Sequence, residues 1–121
     1  MHELAICQAL AARLDALERP RGSFVKAVRV SVGPLCGVDA ALLAHAYPIA
    51  CAGGIAEGSR LDIERTVVKV RCRSCGSQST VAPNRLVCGS CGDWRTELQG
   101  GDELLLLAVE FESAVEECAH V

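Results

Sequence analysis

The sequence has few aromatic residues and no excess of positive charge. Aromatic side chains make up 3% of the 121 residues, so Val, Leu, Ile and Ala must fill most of a core. Half of the residues are hydrophobic, which is enough to build one. The formal net charge is −3 at pH 7, whereas a nucleic-acid-binding domain usually presents a basic surface. The composition therefore argues against nucleic acid as a partner.

Long hydrophobic runs are also missing. No stretch reaches the roughly 18–20 uncharged apolar residues that a membrane span needs. The first residues lack the basic start, the apolar run and the small-residue cleavage site of a secretory signal. We therefore expect a cytoplasmic protein without a membrane span, built as one domain or as one domain with a small satellite.

Cysteine, in contrast, is abundant, with eight in the chain. Four of them form two Cys-x-x-Cys-Gly motifs: Cys72 with Cys75, and Cys88 with Cys91. A two-residue gap lets both sulfurs of one turn face a single ion about 2.3 Å away. Soft thiolates favour Zn(II), and four protein ligands leave no position for a catalytic water. The spacing predicts a structural zinc site; the alternative is disulfides or free thiols, which a cytosolic chain disfavours.

Two helices are predicted. Residues 3–18 contain no Gly or Pro and repeat apolar residues at helical spacing along one face. Asp39 is a candidate N-cap for a second helix over residues 39–52, which two glycines end. Pro48 lies inside this second helix and would clash with the carbonyl one turn earlier, so we expect a kink or an early break there.

Three segments have strand patterns, at residues 24–32, 60–70 and 104–112. In the second segment the apolar positions change parity, which predicts a bulge or break near residues 65–67. The third starts as a continuous apolar run and is predicted to be a central strand, buried on both faces at its start. Two helices on one face of a three-stranded sheet is the simplest α+β solution.

The cysteine segment interrupts this α+β pattern. It has few apolar residues and cannot bury a core of its own, so its folding should depend on metal. We therefore predict a domain formed by residues 1–69 and 98–121, with residues 70–97 inserted as a four-cysteine, zinc-ribbon-like domain.

The amino terminus offers a second candidate metal site. The α-amine of Met1, the amide of His2 and its imidazole can form fused chelate rings around one ion, with Glu3 supplying an amide or a carboxylate as fourth ligand. Such nitrogen-rich, square-planar geometry suits Ni(II) or Cu(II). The alternative is a solvated terminal histidine. His45, inside the predicted second helix, and His120, in a tail that we expect to be frayed, are weaker candidates.

Motifs along nearly the whole chain resemble the HypA/HybF family, nickel metallochaperones for maturation of nickel–iron hydrogenase. They are "MHELAICQAL", "VSVGPLCGVD", "AEGSRLDIE", the two Cys-x-x-Cys-Gly motifs and "GGDELLLLAVEFE", in the order seen in the family. The resemblance implies that His2 is the nickel ligand with Glu3 beside it. It also implies that the four cysteines hold zinc, in a segment inserted between two strands of the nickel domain.

The resemblance also implies partners. The family works with a HypB-like maturation GTPase and passes nickel to the hydrogenase large-subunit precursor, and some members serve urease. By this resemblance Ni(II) is transferable cargo, Zn(II) is structural, and the protein is not an enzyme. We expect the GTPase to bind near the first helix, around Arg13 and Asp15.

Two other functions compete with a nickel carrier. A zinc-ribbon module that binds nucleic acid or protein is suggested by basic residues around the motifs: Lys69, Arg71, Arg73, Arg85 and Arg95. The acidic total charge and the lack of stacking aromatics other than Trp94 argue against it. A thiol enzyme is the weakest candidate, because no cysteine is paired with a histidine in sequence and a closed zinc site offers no Lewis-acid chemistry.

Overall fold

A computed structural model of the chain describes residues 2–113. The predicted tail with His120, and the amine of Met1, lie outside the described residues. Both helices of residues 2–113 lie in the first half of the chain and five strands follow the second helix, which confirms the α+β prediction. In chain order they are α1 (His2–Ala16), β1 (Ser23–Val32), α2 (Ala40–Cys51), β2 (Arg60–Arg65), β3 (Val68–Cys72), β4 (Gln78–Val81), β5 (Thr96–Gly100) and β6 (Leu104–Ser113).

The first sheet has the strand order β2-β1-β6. Strand β1 is therefore central, and its residues are buried at most positions along its length. Strand β6 has one described neighbour, and its Leu105 and Leu107 side chains are 46% and 42% exposed. The prediction that this segment is a central strand buried on both faces is wrong. An apolar run cannot by itself distinguish a central strand from an edge strand, because strand order is set by hydrogen bonding between distant segments.

The second sheet has the order β4-β3-β5, with β3 antiparallel to both neighbours. The predicted break near residues 65–67 is confirmed, because Thr66 and Val67 lie outside both strands. Ending β2 there lets the next strand join the other sheet. The change of parity in the sequence therefore marks the passage from one strand to the next, and Val68 and Val70 are both buried on one face of β3.

The helices contact each other and bury one stripe each. Asp39 is the N-cap of α2, as predicted, and its Oδ1 accepts the amides of Ala41 and Leu42 at 2.9 and 3.2 Å. Of the expected kink or early break at Pro48, the early break is wrong, because the helix continues past Pro48 to Cys51. Pro48 is exposed, and buried residues lie on both sides of it along the helix, so burial offsets the lost backbone hydrogen bond.

The described chain divides into two units. The first unit comprises residues 2–30, 39–63 and 106–113, and it contains both helices. The second unit comprises Ser31–Val38 and Glu64–Leu105, and it contains all four cysteines of the paired motifs. The division into a nickel domain and a zinc domain depends on which metals bind, and it stays a prediction.

Candidate metal centres

The first Cys-x-x-Cys motif is a tight loop that follows β3. The amides of Ser74 and Cys75 donate to Cys72 Sγ, with N···S distances of 3.3 and 3.4 Å. The amide of Gly76 donates to the Cys72 carbonyl at 3.0 Å, and the Cys72 amide donates to the carbonyl of Ser77 at 2.9 Å. Gly76 has φ of 76°, a left-handed conformation that glycine adopts without strain. The loop therefore holds the sulfur of Cys72 in place with backbone amides.

The second motif repeats this geometry. The amides of Ser90 and Cys91 donate to Cys88 Sγ at 3.3 and 3.4 Å. The Gly92 amide donates to the Cys88 carbonyl, and the Cys88 amide donates to the Asp93 carbonyl, both at 2.9 Å. Gly92 has φ of 75°. Two loops of the same construction follow from the same local sequence pattern.

The two loops bring the four sulfurs together. Cys72 Sγ lies 3.6 Å from Cys91 Sγ, and Cys75 Sγ lies 3.6 Å from Cys88 Sγ. All four sulfurs are within 4.8 Å of one another. A tetrahedral ion with metal–sulfur bonds of about 2.3 Å requires sulfurs about 3.8 Å apart, whereas disulfide-bonded sulfurs are about 2.05 Å apart. The cluster therefore has the donor set and spacing of a four-cysteine metal site.

Electrostatics within the cluster favour a bound cation. Hydrogen bonds from the Ser77 hydroxyl and amide lower the pKa of Cys75 to about 6. The Asp93 amide lowers the pKa of Cys91, but hydrogen bonding with the other three sulfurs and desolvation together outweigh this effect and raise the pKa to about 12. Four crowded thiols thus resist full ionisation by themselves. A divalent cation would displace the remaining protons, so binding should release protons.

Asp93 connects the two loops, which the sequence analysis did not anticipate. Its Oδ2 accepts the Ser74 hydroxyl of the first loop at 2.5 Å. The same carboxylate accepts the Arg95 amide at 2.8 Å and the Arg95 guanidinium at 2.9 Å. The Arg95 guanidinium holds the pKa of Asp93 well below its usual range. The local signal was an acidic residue directly after Gly92 and two residues before an arginine, but its partner across the cluster is a tertiary contact.

At the start of α1, His2 is exposed and Glu3 is buried, with 9% of its surface accessible. Glu3 Oε2 accepts the backbone amide of Asp39 at 3.2 Å, and this hydrogen bond lowers the pKa of Glu3. Since Asp39 is also the N-cap of α2, the carboxylate connects the first turns of the two helices. The sequence places Glu3 at the terminus, but no local pattern indicates its contact with residue 39.

The other predicted candidates lie apart from these sites. His45 is exposed on α2. Cys7 is fully buried, as predicted for a core residue; its thiol donates to the Leu43 carbonyl at 3.5 Å, and burial raises its pKa to about 11. Among residues 2–113, no helix is both long and apolar enough to cross a membrane.

Fold and site together define an α+β protein with a four-cysteine metal site. A family model described as "Hydrogenase/urease nickel incorporation, metallochaperone, hypA" matches residues 1–111. The chain belongs to this HypA family of nickel metallochaperones.

Named relatives support the assignment. The chain is similar to a hydrogenase maturation factor HypA from Nitrosospira multiformis, 44% identical over 111 residues, covering 91% of this chain and 96% of the relative. A HypA from Streptomyces avermitilis is 34% identical over 115 residues, covering 93% and 88%. The fold is similar to the solution structure of the nickel metallochaperone HypA from Helicobacter pylori, with a TM-score of 0.63, 21% identity and coverage of 92% and 97%.

Proposed function

We propose that the chain carries Ni(II) at its amino terminus and delivers it for maturation of nickel–iron hydrogenase in the cytoplasm, without catalysing a reaction itself. The ligands are the Met1 amine, the His2 amide and imidazole, and the Glu3 amide. The four cysteines hold a structural Zn(II), since four thiolates suit this ion and leave no open coordination position.

The observation that carries this proposal is the contact of Glu3. Its carboxylate accepts the Asp39 amide, so using it as a nickel ligand would break a hydrogen bond between the two helices. The His2 imidazole is exposed. The amides of the first helical turn have no acceptor one turn earlier, so replacing their protons by a metal breaks no hydrogen bond of the helix ladder.

An exposed terminal site also suits a carrier. Cargo that must be passed on cannot be enclosed by the core, and the His2 side chain lies outside it. The cysteine cluster has the opposite character, with two ligands buried and four sulfurs converging on one point. We therefore assign the transfer of Ni(II) to the amino terminus, and the stabilisation of the fold to the metal held by the four cysteines.

Calorimetric titration with Ni(II) tests the terminal site. The His2→Ala variant should lose tight binding, with zinc content and helix content unchanged. Two residues added before Met1 should also weaken binding, because the free amine is lost although His2 remains. His45→Ala is the matched control, since it removes another exposed histidine. Unchanged affinity in His2→Ala would exclude this site.

The GTPase partner is proposed to bind α1, where it could reach the terminus. The structure decides which residue tests this. Asp15 Oδ1 accepts the Ile55 amide at 3.2 Å, so changing Asp15 would also disturb the loop after α2. Arg13 is exposed, and Arg13→Glu should weaken capture of a HypB-like GTPase, while Arg21→Glu, beyond the helix, should not. Equal capture by both variants would remove α1 as the contact.

A further inference from the structure

The four cysteines of the cluster differ in exposure. Cys72 and Cys88 are each 2% exposed, and each sulfur accepts two backbone amides. Cys75 and Cys91 are exposed to solvent. A dissolved reagent therefore meets the second cysteine of each motif first. Cys75 and Cys91 also accept backbone hydrogen bonds, from Ser77 and Asp93, so it is exposure that distinguishes the two pairs.

The sulfur of each exposed cysteine lies beside the sulfur of a buried cysteine in the other loop. Cys91 Sγ is 3.6 Å from Cys72 Sγ, and Cys75 Sγ is 3.6 Å from Cys88 Sγ. From this distance the two sulfurs must approach each other by only about 1.5 Å to reach the length of a disulfide bond.

We propose that Cys75 and Cys91 are peroxide-reactive modification sites, and that their oxidation yields disulfides between the two loops, Cys72–Cys91 and Cys75–Cys88. The inference rests on the proposed zinc site, because the metal is what holds the sulfurs together as thiolates. It adds to that proposal which cysteines react first and which disulfides then form.

The chemistry balances with hydrogen peroxide as the oxidant. The Cys91 thiolate attacks one peroxide oxygen; an S–O bond forms, the O–O bond breaks and hydroxide leaves, so sulfur is oxidised by two electrons. The Cys72 thiolate then attacks the sulfenic sulfur; an S–S bond forms, the S–O bond breaks and a second hydroxide leaves. A zinc ion held by the four cysteines would thereby lose two of its ligands and be released. The same sequence applies to Cys75 with Cys88.

The test uses the full chain with zinc bound, after its zinc content has been measured. One portion receives limiting N-ethylmaleimide and another receives hydrogen peroxide, while an indicator records released zinc. Trypsin then separates the cysteines into three peptides, because Arg73 lies between Cys72 and Cys75, and Arg85 precedes the second motif. Mass spectrometry identifies alkylated and cross-linked residues. A chelator-stripped sample is the control for thiol reactivity without metal.

We expect Cys75 and Cys91 to be alkylated before Cys72 and Cys88, and cross-loop disulfides to form in step with loss of zinc. In the stripped chain the order of alkylation should disappear. Earlier alkylation of the buried pair, or an excess of Cys72–Cys75 and Cys88–Cys91 disulfides, would overturn the inference while leaving the zinc proposal intact. A chain that binds no zinc would overturn the zinc proposal, and this inference with it.

Discussion

The two units of the chain obtain their stability by different means. The first buries large side chains, and Tyr47, Leu14 and Leu43 are 2% exposed or less. The second buries the smaller Val68 and Val70, and beside them the cysteines of the metal site. Burial of apolar surface drives the folding of the first unit, whereas we expect the second to depend on a bound metal that holds its loops together. The two units therefore differ in what their sequences supply, which is large apolar side chains in the first and metal ligands in the second.

Loss of the metal should have the largest effect on stability, and it should unfold the second unit while the first stays folded. Cys88→Ser removes one ligand, and structural zinc contributes roughly 10–16 kcal/mol in small zinc domains. We expect loss of zinc and of amide-exchange protection across residues 72–96, with α1 and α2 still protected. Cys36→Ser, outside the cluster, is the control. Full protection of residues 72–96 without metal would show that the second unit does not need it.

The converse experiment removes a core side chain from the first unit. Leu14 is fully buried, so Leu14→Ala should cost about 2–5 kcal/mol in the free energy of unfolding. Leu42 is 53% exposed, and Leu42→Ala should change stability by less than about 0.5 kcal/mol. Urea unfolding of both variants measures this difference, and zinc content should stay unchanged. Equal effects of the two substitutions would contradict the assigned core.

Pro48 tests whether the first unit tolerates local strain through burial. Pro48→Ala restores a backbone donor within α2, and we expect stabilisation by roughly 1–3 kcal/mol, because the helix already continues through this position. Pro83→Ala, in the second unit, is the control and should leave the helices unchanged. A less stable Pro48→Ala variant would mean that the proline ring itself contributes to packing.

The smallest expected effect is the contribution of Glu3 to stability, which should decrease at low pH. The Asp39 amide lowers the pKa of Glu3 in the folded state. The stabilisation from this carboxylate is therefore present above its unfolded pKa of about 4.3, and is lost as the pH falls through the folded value. We expect wild type to be more stable than Glu3→Gln at neutral pH, and the difference to shrink below about pH 4. Glu18→Gln, at an exposed position, is the matched control. Thermal unfolding between pH 3 and 7 measures the difference in stability between each variant and wild type.

Much of the fold was predictable because its signals are local. The N-cap at Asp39 depends on residues two and three positions ahead. The break before Val68 follows from apolar parity within one segment. The loops of the metal site depend on amides within the motif and on glycines at positive φ. Each of these features is decided over a few residues, where backbone geometry leaves few alternatives.

Other features arose from contacts between segments far apart in the chain. The apolar run of β6 was consistent with a central strand, but β1 occupies that place because hydrogen bonding with both β2 and β6 sets the order. Helix α2 passes Pro48 because buried residues flank it, although the proline by itself predicted a kink or an early break. The link from Glu3 to Asp39 spans 36 positions.

The sequence by itself determined the four-cysteine ligand set, the candidate terminal chelate and the α+β class, because ligand spacing and hydrophobic periodicity are properties of short segments. Only the tertiary structure decided that Cys75 and Cys91 are exposed while Cys72 and Cys88 are buried, that Asp93 joins the two loops, and that the Glu3 carboxylate is engaged. Exposure and pairing of polar groups depend on what the rest of the chain places against them, and no periodicity within one segment records that.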